Sequence, residues 1–535
     1  MLPILYLYLL YSIATEYPND QSMNPGKIFS SCLLPIVSVF ICFSCNNRSE
    51  TKERINEANY YTQSDHNRMA AEWEPALGVM VVWPLALPHK LIVELAKDNQ
   101  LFTLVPDKKN MQDAIKWYLL WRIDTSRVKF IVAKQGEDAW WVRDWGPPAV
   151  FTPGGRMELG DGKYIYSTPM SGLACDDSLR FLYKTAGNKI IRTDTDDQAT
   201  VEIGKALNIP ILDLPFISTG GNVLTDGLGT AFSTCILANE NRFNGTPAEE
   251  FFASNRRLLG INNYHLVSNF SKNDIQHIDC FMKLLDEERI LVAEPPVGSE
   301  LSQVYENIVT NELSKLRTIF GRPFQILRIK IYPYDLGHNH REILAAYTNS
   351  LILNKTIYVP LFGIPGDSIA LKRWSEVMPG YRVKGFEFTL KDEPFLNDKA
   401  REHYGHTAIG WGYDDALHCR TRAIWDTIML YMAVKRIDQN VSPGKTNRVF
   451  VTIIDYSKKG LTARSTNLYW RLKGKSRWNE IGLQSTDDST HFYADIPFNT
   501  SRNQIEYYVS ASSRSGRTEM TPRTAPDGFY SFSIY

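Results

Sequence analysis

The stretch HIDCFMKLLDEERILVAE, residues 277–294, contains the pattern from which the fold can be inferred. FMKLL and ILVAE are apolar segments separated by the charged turn DEER, which is typical of a β-hairpin. A helical pattern over residues 301–320 follows, and after it comes the apolar strand FQILRIKIY at 324–332. Helix followed by strand is the recurring element of an α/β domain.

The helix-then-strand part of this unit occurs five times between residues 66 and 437. The other copies are KLIVELAKDN then LFTLV (90–105), DKKNMQDAIKWYLLW then RVKFIVA (107–133), DDQATVEIGKAL then IPILDLPF (196–216), and DSIALKRWSEVM then YRVKGFEF (367–388). This repetition predicts a repetitive α/β domain over 66–437. If the copies are arranged in a ring, the polar residues after the strands converge on its axis and line a pocket.

The pattern changes after the linker VSPGKTN at 441–447. Residues 448–535 contain short alternating segments such as RVFVTIIDY, LYWRLK, HFYADIPF and QIEYYVSASS, with turns between them and no helical period. This predicts an all-β sandwich of immunoglobulin type over 445–535. The segment has no Cys pair, so a disulfide-linked version is not expected.

The first 45 residues are predicted to be a signal segment. Lys27 precedes an apolar run from 28 to 43, and Ser44 and Cys45 follow it, which favours a start at Met23 and lipoprotein-type cleavage with lipidation at Cys45. A simple membrane anchor and a plain secretory signal are the alternatives. Residues 46–65 are polar and predict a flexible tether. No later stretch is long and apolar enough to span a bilayer, so the mature protein is expected in the bacterial cell envelope, in contact with the membrane through a lipid anchor only, or secreted.

Composition and cysteine spacing exclude some classes of partner. The 535 residues include 59 basic and 59 acidic side chains, and this balance does not favour a nucleic-acid partner. Cys175, Cys235, Cys280 and Cys419 remain after the signal segment, and their spacing predicts no disulfide framework. They include no CxxC pair, and the chain has no HExxH. The sequence therefore predicts neither a metal site nor a cofactor.

One thiol, one imidazole and two carboxylates form the candidate catalytic set: Cys419, His277, Asp144 and Asp279. On a strand, His277 and Asp279 would project from the same face, and Asp144 is expected at a strand end. Two facing carboxylates could hold a planar guanidinium. Cys419 could then attack its central carbon, while His277 transfers protons.

Each of these residues has a simpler interpretation when taken alone. A single Cys is more often a small buried apolar residue, and an HxD pair is usually hydrogen-bonded within a strand. Asp144 beside Arg143 could form a surface ion pair of little energetic weight. Their placement at equivalent points of a repeat favours the catalytic interpretation.

Six motifs resemble those of the bacterial-type peptidylarginine deiminases and the related agmatine deiminases, within the guanidino-group-modifying enzyme superfamily. They are EWEP (72–75), WWVRDWGPP (140–148), STGGNVLTDGLGT (218–230), HIDCFMKLL (277–285), AAYTNSLILN (345–354) and ALHCRTR (416–422). The resemblance covers residues 72 to 430. It implies a five-bladed α/β propeller of pseudo-fivefold symmetry, and the appended immunoglobulin-like domain matches the bacterial peptidylarginine deiminase arrangement as well.

The resemblance also implies roles for individual residues. Cys419 resembles the nucleophile, His277 the general acid and base, and Asp144 and Asp279 the carboxylates that hold the guanidinium. The implied reaction is attack by Cys419, loss of ammonia, a covalent thiouronium intermediate and its hydrolysis to citrulline. The candidate substrate-binding residues are Trp141, which would pack along the arginine stem, Asn349, a polar neighbour of the nucleophile, and Arg143, Ile275 and Asp414.

Departures from the family pattern bear on the substrate. The two arginines that grip a C-terminal carboxylate have no counterpart in YIYSTPMSGLACDD, 164–177, so a preference for C-terminal arginine is not expected. Asp414 and Asp415 favour a cationic ligand such as agmatine, whereas Thr219, which stands where agmatine deiminases have Glu, argues against it.

Export and the additional β-domain favour an arginine-containing peptide or protein as the substrate. The predicted function is therefore hydrolytic deimination of arginine side chains in peptides or proteins. The alternatives are a deiminase of agmatine or other small guanidines, an amidinotransferase, and a non-catalytic surface protein that binds ligands in the propeller pocket.

Overall fold

The computed structural model describes residues 66–136, 139–164, 167–171, 180–183, 185–186, 189–190, 196, 198–270, 275–299, 301–334, 344–393, 395–404, 409–412, 415–444, 446–486, 489–497 and 503–535. The predicted signal segment with Cys45, the tether at 46–65 and Asp414 lie outside these residues. Within the described ranges, no helix has the length and apolar character needed to cross a membrane.

The helices of the described residues are α1 (His89–Asp98), α2 (Lys108–Leu120), α3 (Val142–Trp145), α4 (Ala199–Leu207), α5 (Cys235–Phe243), α6 (Ala248–Ser254), α7 (Ser302–Asn311), α8 (Gly366–Val377) and α9 (Asp398–Tyr404). The start of α2 shows how the sequence sets these limits. The Asp107 side chain accepts a hydrogen bond from the backbone N–H of Asn110 at 2.8 Å, which is an N-cap. The helix ends just before Arg122, whose φ of 60° is left-handed.

The strands up to residue 425 are β1 (Arg68–Met69), β2 (Ala76–Val82), β3 (Gln100–Val105), β4 (Val128–Val132), β5 (Ala149–Phe151), β6 (Met157–Lys163), β7 (Ser167–Ser171), β8 (Arg180–Tyr183), β9 (Thr185–Ala186), β10 (Lys189–Ile190), β11 (Ile211–Ile217), β12 (Leu224–Thr225), β13 (Thr230–Thr234), β14 (Asn263–Val267), β15 (Met282–Leu284), β16 (Arg289–Glu294), β17 (Gln325–Lys330), β18 (Leu351–Leu353), β19 (Thr356–Leu361), β20 (Arg382–Glu387) and β21 (Arg422–Trp425).

Five sheets share one topology, in which a central strand pairs antiparallel with one neighbour and parallel with the other. The five strand triplets are β21-β2-β3, β5-β6-β11, β12-β13-β14, β15-β16-β17 and β18-β19-β20. At least one helix lies between each central strand and its parallel neighbour, because parallel strands need a crossover connection. The fold is thus α/β with mixed sheets, and it positions the loops that follow the strands for a shared site.

The hairpin β15–β16, at the opening motif, is formed as predicted. Asp286 closes its turn, because its Oδ1 accepts the backbone N–H groups of Glu288 and Arg289, each at 3.0 Å. The predicted helix at 301–320 is shorter than expected and ends at Asn311. Farther on, Gly321, with φ 79°, donates its N–H to the carbonyl of Thr318 at 2.8 Å, and this turn is incompatible with a continuous helix.

One predicted copy of the repeat is not a separate unit. Strand β4 pairs parallel with β3, so the helix and strand of 107–133 extend the first sheet to four strands. The copy that the sequence pattern missed is β12-β13-β14, whose crossover consists of the two short helices α5 and α6. Both α-helices are short, and the π-helical stretch Asn255–Leu259 that continues α6 departs from the 3.6-residue period by which the other copies were found.

The C-terminal strands are β22 (Leu430–Lys435), β23 (Asn440–Val441), β24 (Asn447–Asp455), β25 (Asn467–Leu472), β26 (Asn479–Gly482), β27 (Gln484–Ser485), β28 (His491–Ile496), β29 (Asn503–Ser512), β30 (Thr518–Thr521) and β31 (Tyr530–Ile534). They form the sheets β22-β24-β28-β27 and β23-β31-β29-β25-β26, with β30 beside β29. Both sheets contribute to one apolar core that includes Val451, Ile505 and Phe532. The predicted all-β character is confirmed, and β22, which precedes the predicted linker, pairs with β24.

Arg68 on β1 connects the α/β part with the C-terminal strands. Its Nη1 lies 2.6 Å from Glu74 Oε1, and its Nε donates to the hydroxyl of Tyr456 at 3.1 Å. The guanidinium carbon lies 3.9 Å from the ring centre of Tyr431 on β22. A cavity of about 660 Å³ lies between the α/β part and the C-terminal strands, and Glu287 and Arg436 are among its lining residues.

Candidate active site

The four predicted catalytic residues come from separate parts of the chain, and all are buried. Asp144 lies on α3, His277 and Asp279 lie at the turn before β15, and Cys419 lies in the loop before β21. Their exposed fractions are 4%, 9%, 0% and 1%. His277 Nδ1 lies 3.4 Å from Asp144 Oδ1, and Cys419 Sγ lies 3.8 Å from Asp279 Oδ2. The structure therefore brings the predicted set together.

His277 and Asp279 do not lie on a strand, and in this respect the sequence prediction is wrong. Residues Ile278–Cys280 form a 3-10 turn that begins directly after His277. Asn222 holds this turn, because its Oδ1 accepts the backbone N–H of Ile278 at 3.1 Å. Asp144 likewise lies on the short helix α3 and not at a strand end. The two side chains converge through a turn and a helix, which a strand pattern does not describe.

Gly221 provides the space in which the carboxylates and the imidazole approach one another. Its N–H donates to Asp144 Oδ1 at 3.1 Å. A Cβ placed on Gly221 would lie 2.4 Å from Asp144 Oδ1, 3.1 Å from His277 Nδ1 and 3.3 Å from Asp279 Oδ2. Three groups of the candidate site thus surround a single point that only glycine leaves open.

Asn349 connects Cys419 with a second thiol. Its Nδ2 donates to Cys419 Sγ at 3.2 Å and to Cys280 Sγ at 3.4 Å. Its Oδ1 accepts the backbone N–H groups of His418 at 2.9 Å and Ala416 at 3.2 Å. One buried amide therefore fixes both the backbone before Cys419 and the position of its sulfur, as the prediction of a polar neighbour required.

Burial and neighbouring charges determine the protonation of the two groups that would react. Burial lowers the pKa of His277, but the negative charges of Asp144, Asp279 and Glu240 outweigh this effect and raise that pKa to about 9. Burial raises the pKa of the Cys419 thiol to about 12, and the charge of Asp279 adds to the increase. Without a ligand, the site therefore holds an imidazolium and a neutral thiol at pH 7.

A chain of three further residues, which the sequence analysis did not single out, starts at Asp279. Its Oδ2 lies 2.7 Å from His418 Nδ1, and His418 Nε2 lies 2.9 Å from Glu72 Oε2. The same Glu72 oxygen lies 2.8 Å from Lys283 Nζ. Burial opposes ionisation of both carboxyls, but their cationic neighbours lower the pKa of Asp279 and bring that of Glu72 well below its usual range.

These three residues lie within quoted motifs: EWEP contains Glu72, HIDCFMKLL contains Lys283, and ALHCRTR contains His418. Each could have been noted as a charged residue inside an otherwise apolar motif. Their pairing could not, because His418 is 346 positions from Glu72 in the chain.

Trp141 and Arg143 lie beside the four residues, and their polar groups bind the protein. Trp141 Nε1 donates to Asp415 Oδ2 at 2.6 Å. The Arg143 backbone N–H donates to the carbonyl of Cys419 at 3.0 Å, and its Nε donates to the carbonyl of His418 at 3.3 Å. Arg143 thus fixes the loop that carries Cys419, and it is only 3% exposed, so the surface ion pair with Asp144 is excluded.

Asp415 is already neutralised within the protein. Arg420 Nε and Nη2 bind its two oxygens at 3.0 Å each, in a bidentate pair. The expectation that Asp415 attracts a cationic substrate is therefore wrong. Ile275 is partly buried, on the loop that leads to His277, and Asp414 lies outside the described residues.

Asp279, Cys280 and Cys419 place one oxygen and two sulfurs within 4.8 Å of one another. Cys280 and Cys419 are free thiols, whereas Cys235 is disulfide-bonded. Two sulfurs and a carboxylate can ligate a soft metal ion only after the thiols lose their protons, and burial raises the pKa of Cys419. The surroundings of Cys419 therefore favour a protonated thiol over a thiolate that is ready to ligate a metal ion.

Comparison with known proteins points to one family. The sequence model of the Porphyromonas-type peptidyl-arginine deiminases matches residues 68–389. The agmatine deiminase of Stutzerimonas stutzeri is 24% identical over 352 residues, which are 60% of this chain and 90% of that protein. The structure of the agmatine deiminase of Enterococcus faecalis matches with a TM-score of 0.51 and 18% identity, over 68% of this chain and 98% of that chain. A candidate arginine deiminase of Porphyromonas gingivalis matches with a TM-score of 0.50 and 19% identity, over 68% and 99%.

Proposed function

The chain belongs to the Porphyromonas-type peptidyl-arginine deiminase family, whose members hydrolyse guanidino groups, and on this premise we propose that it deiminates arginine side chains of peptides or proteins. The products are citrulline and ammonia. The observation that carries the proposal is the convergence of one imidazolium and two carboxylates around Gly221, with the thiol of Cys419 beside one of the carboxylates. Such a set matches the charge, the planarity and the electrophilic carbon of a guanidinium.

Binding of the guanidinium is assigned to Asp144 and Asp279. Both carboxylates are buried, so a cation placed between them is attracted in surroundings where water screens little. A guanidinium presents N–H donors on both edges and can bind the two carboxylates at once. Cys419 Sγ lies 3.8 Å from Asp279 Oδ2, and this short distance supports attack by the sulfur on the carbon of a guanidinium bound to that oxygen.

The first chemical step is attack by sulfur on that carbon. Cys419 forms the C–S bond as a thiolate, and one C–N bond breaks with its electron pair moving to nitrogen. His277 donates the proton that lets the nitrogen leave as ammonia. The enzyme then holds a covalent S-alkylthiouronium.

The second step restores the enzyme. Water attacks the same carbon while His277, now neutral, takes a proton from it. The C–S bond breaks, Cys419 leaves with the electron pair and takes up the remaining hydroxyl proton as a thiol, and a ureido group, that of citrulline, remains on the substrate. His277 thus acts as acid and then as base, and it lies within contact of Asp144, which stabilises its charged form.

Formation of the thiolate is coupled to substrate binding in this proposal. Burial raises the pKa of Cys419 to about 12, and nearby carboxylates contribute to that increase. A guanidinium between Asp144 and Asp279 compensates their charge and lowers the energy of a neighbouring thiolate. The nucleophile is therefore activated by the cation that it attacks, and it is protected from other reagents while the site is empty.

A peptide or protein is the first candidate for the substrate. The family model that matches is that of a peptidyl-arginine deiminase, and the acidic group that favoured a small diamine-like ligand, Asp415, is bound by Arg420. The second candidate is agmatine or another small guanidine. It is supported by the agmatine deiminase relative that this chain matches over 90% of that protein's length.

The larger arrangement is part of the same proposal. Five sheets of equal topology suit a five-bladed propeller, whose axis would hold the residues of the site. The two C-terminal sheets around one core suit an immunoglobulin-like sandwich. The sequence between Met23 and Cys45 supports export and lipid anchoring at the cell envelope, where peptide substrates are met.

A panel of guanidines tests the function. Ammonia and ureido product are measured with agmatine, free arginine, a peptide with an internal arginine and a peptide with a C-terminal arginine. Turnover of the internal-arginine peptide at the highest kcat/KM is the expected result. Preference for agmatine would replace the first candidate by the second. Binding without ammonia release from any guanidine would refute deimination.

A further inference from the structure

The ring of His418 lies between two carboxylates. Both of its ring nitrogens face carboxylate oxygens, Asp279 Oδ2 at 2.7 Å and Glu72 Oε2 at 2.9 Å. The pKa values of both carboxyls lie below their usual range, so both are ionised and can only accept hydrogen bonds. Both nitrogens therefore face acceptors, and the ring of His418 bridges the two acids.

Lys283 lies next to the Glu72 end of this bridge. Lys283 Nζ lies 2.8 Å from the Glu72 oxygen that His418 contacts, and both Lys283 and His418 are only 1% exposed. Asp279, His418 and Lys283 are thus shielded from water, whereas the side chain of Glu72 is 12% exposed. Glu72 is fixed further, because its Oε1 accepts the backbone N–H of Ile352 at 2.8 Å.

We propose that His418 is a positioning residue for the deimination reaction, which keeps Asp279 ionised and directs its carboxylate toward the substrate guanidinium. Glu72, which Lys283 contacts, holds the His418 ring in place. The inference rests on the proposed function, and it adds to that function a residue that prepares the binding carboxylate before any substrate arrives. His418 acts on Asp279 and does not itself react.

The geometry separates this role from simple packing. The Asp279 oxygen that binds His418 is the same oxygen that lies 3.8 Å from Cys419 Sγ, so any rotation of the carboxylate displaces an oxygen that contacts the thiol. His418 is also anchored through its backbone N–H, which donates to Asn349 Oδ1 at 2.9 Å. The His418 ring thus has little freedom to follow a displaced carboxylate.

The charged groups around Asp279 come from several elements. His277 lies at the same turn, and the other groups that influence Asp279 or are influenced by it are His418, Lys283, Arg143 and Cys419. Loss of the hydrogen bond from His418 leaves burial less opposed, so the pKa of Asp279 rises. As pH falls through the raised value, Asp279 gains a proton and no longer attracts a guanidinium.

Two substitutions distinguish the two hydrogen bonds of His418. In His418→Asn the amide nitrogen replaces Nδ1 and can still donate to Asp279. In His418→Gln the longer side chain places its amide near Nε2, toward Glu72, and leaves Asp279 without this donor. Both variants are made with Cys419→Ser, so that binding of agmatine and of an N-acylated arginine amide is measured by calorimetry without turnover, between about pH 5 and pH 8.

The expected result is a roughly ten- to hundredfold weaker binding for His418→Gln at pH 7, since a hydrogen bond to a charged group is lost. Its affinity should also fall more steeply toward low pH than that of the Cys419→Ser reference. His418→Asn should retain most of the affinity and the shallower pH profile. Glu240, whose pKa is about 8, and His277 titrate in all three proteins, so the difference between profiles isolates Asp279.

Equal affinities and parallel pH profiles for all three proteins would overturn the inference, and so would equal losses in the Asn and Gln variants. Thermal unfolding is recorded for each protein, and Glu72→Gln, which removes one charge and keeps an acceptor, replaces any variant that does not fold. Wild-type protein that releases no ammonia, or a Cys419→Ser protein that binds neither guanidine, would refute the proposed function instead.

Discussion

Replacement of Gly221 by Ala tests the assembly of the site with the smallest possible change. The new Cβ would lie 2.4 Å from Asp144 Oδ1 and 3.1 Å from His277 Nδ1. An ordinary contact between carbon and oxygen needs about 3.4 Å, so the carboxylate must retreat by about 1 Å. A displacement of this size at a reacting centre costs about a hundredfold in rate. We therefore expect kcat/KM to fall by about two orders of magnitude.

The effect on stability should be much smaller than the effect on turnover. Insertion of a methyl group into a packed site costs about 1–3 kcal/mol. Part of this is offset, because replacing Gly by Ala at an unstrained φ lowers the entropy of the unfolded chain by about 0.4–1 kcal/mol. The variant should thus remain folded at 25 °C, and its unfolding midpoint in urea should shift only moderately.

Ammonia release gives kcat and KM, and calorimetry with a guanidine in the Cys419→Ser background gives binding. Gly154→Ala is the matched control, because the nearest atom to its added Cβ lies 3.7 Å away, and it should behave as wild type. A Gly221→Ala protein with wild-type kcat/KM would show that Asp144 and His277 need not lie where the structure places them. That result would refute the assignment of the site.

Four further outcomes are expected. Cys419→Ser should release no ammonia from any guanidine and should keep the wild-type circular dichroism; a burst or steady turnover would remove Cys419 as the nucleophile. Asp144→Asn and Asp279→Asn should each lower kcat/KM roughly a hundredfold or more, because a charged hydrogen bond to the substrate is lost in a buried site; a change in melting temperature alone would indicate a structural role. Because the pKa of His277 is about 9, turnover should decline above about pH 9 as this residue loses its proton. Absorbance at 240 nm should reveal a Cys419 thiolate at pH 8 only when a guanidine is bound. Thiolate in the empty enzyme would contradict substrate-coupled activation. Cys45→Ala should move the protein from the membrane fraction to the soluble fraction, and unchanged fractionation would contradict lipid anchoring.

The repeat could be read from the sequence wherever a helix of adequate length precedes an apolar strand. Helices α2 and α8 begin and end within one or two residues of the predicted limits, because hydrophobic periodicity over three turns is a strong local signal. The unit β12-β13-β14 was missed for the opposite reason, since its crossover is divided into two short helices. Assignment of β4 to the first sheet depends on pairing with β3, and strand partners are a property of the whole chain.

The candidate site was predictable in its chemistry and not in its geometry. Cys419, His277, Asp144 and Asp279 were identified by residue type and motif, and they meet as expected. The 3-10 turn at Ile278–Cys280 was mistaken for a strand because alternation of polar and apolar residues over three positions does not distinguish the two. The bridge through His418 joins residues that are far apart in sequence, so only the folded chain reveals it.

The contacts of Arg68 bear on any attempt to express the α/β part without the C-terminal strands. A shortened chain that stops near residue 437 would keep β22 but would lose β24, the strand that pairs with every residue of β22. Leu430 and Val434, now in the C-terminal core, would meet water, and Arg68 would lose the Tyr456 hydroxyl. We therefore expect the α/β part to be unstable without the C-terminal strands, unless the exposed apolar residues of β22 are replaced by polar ones.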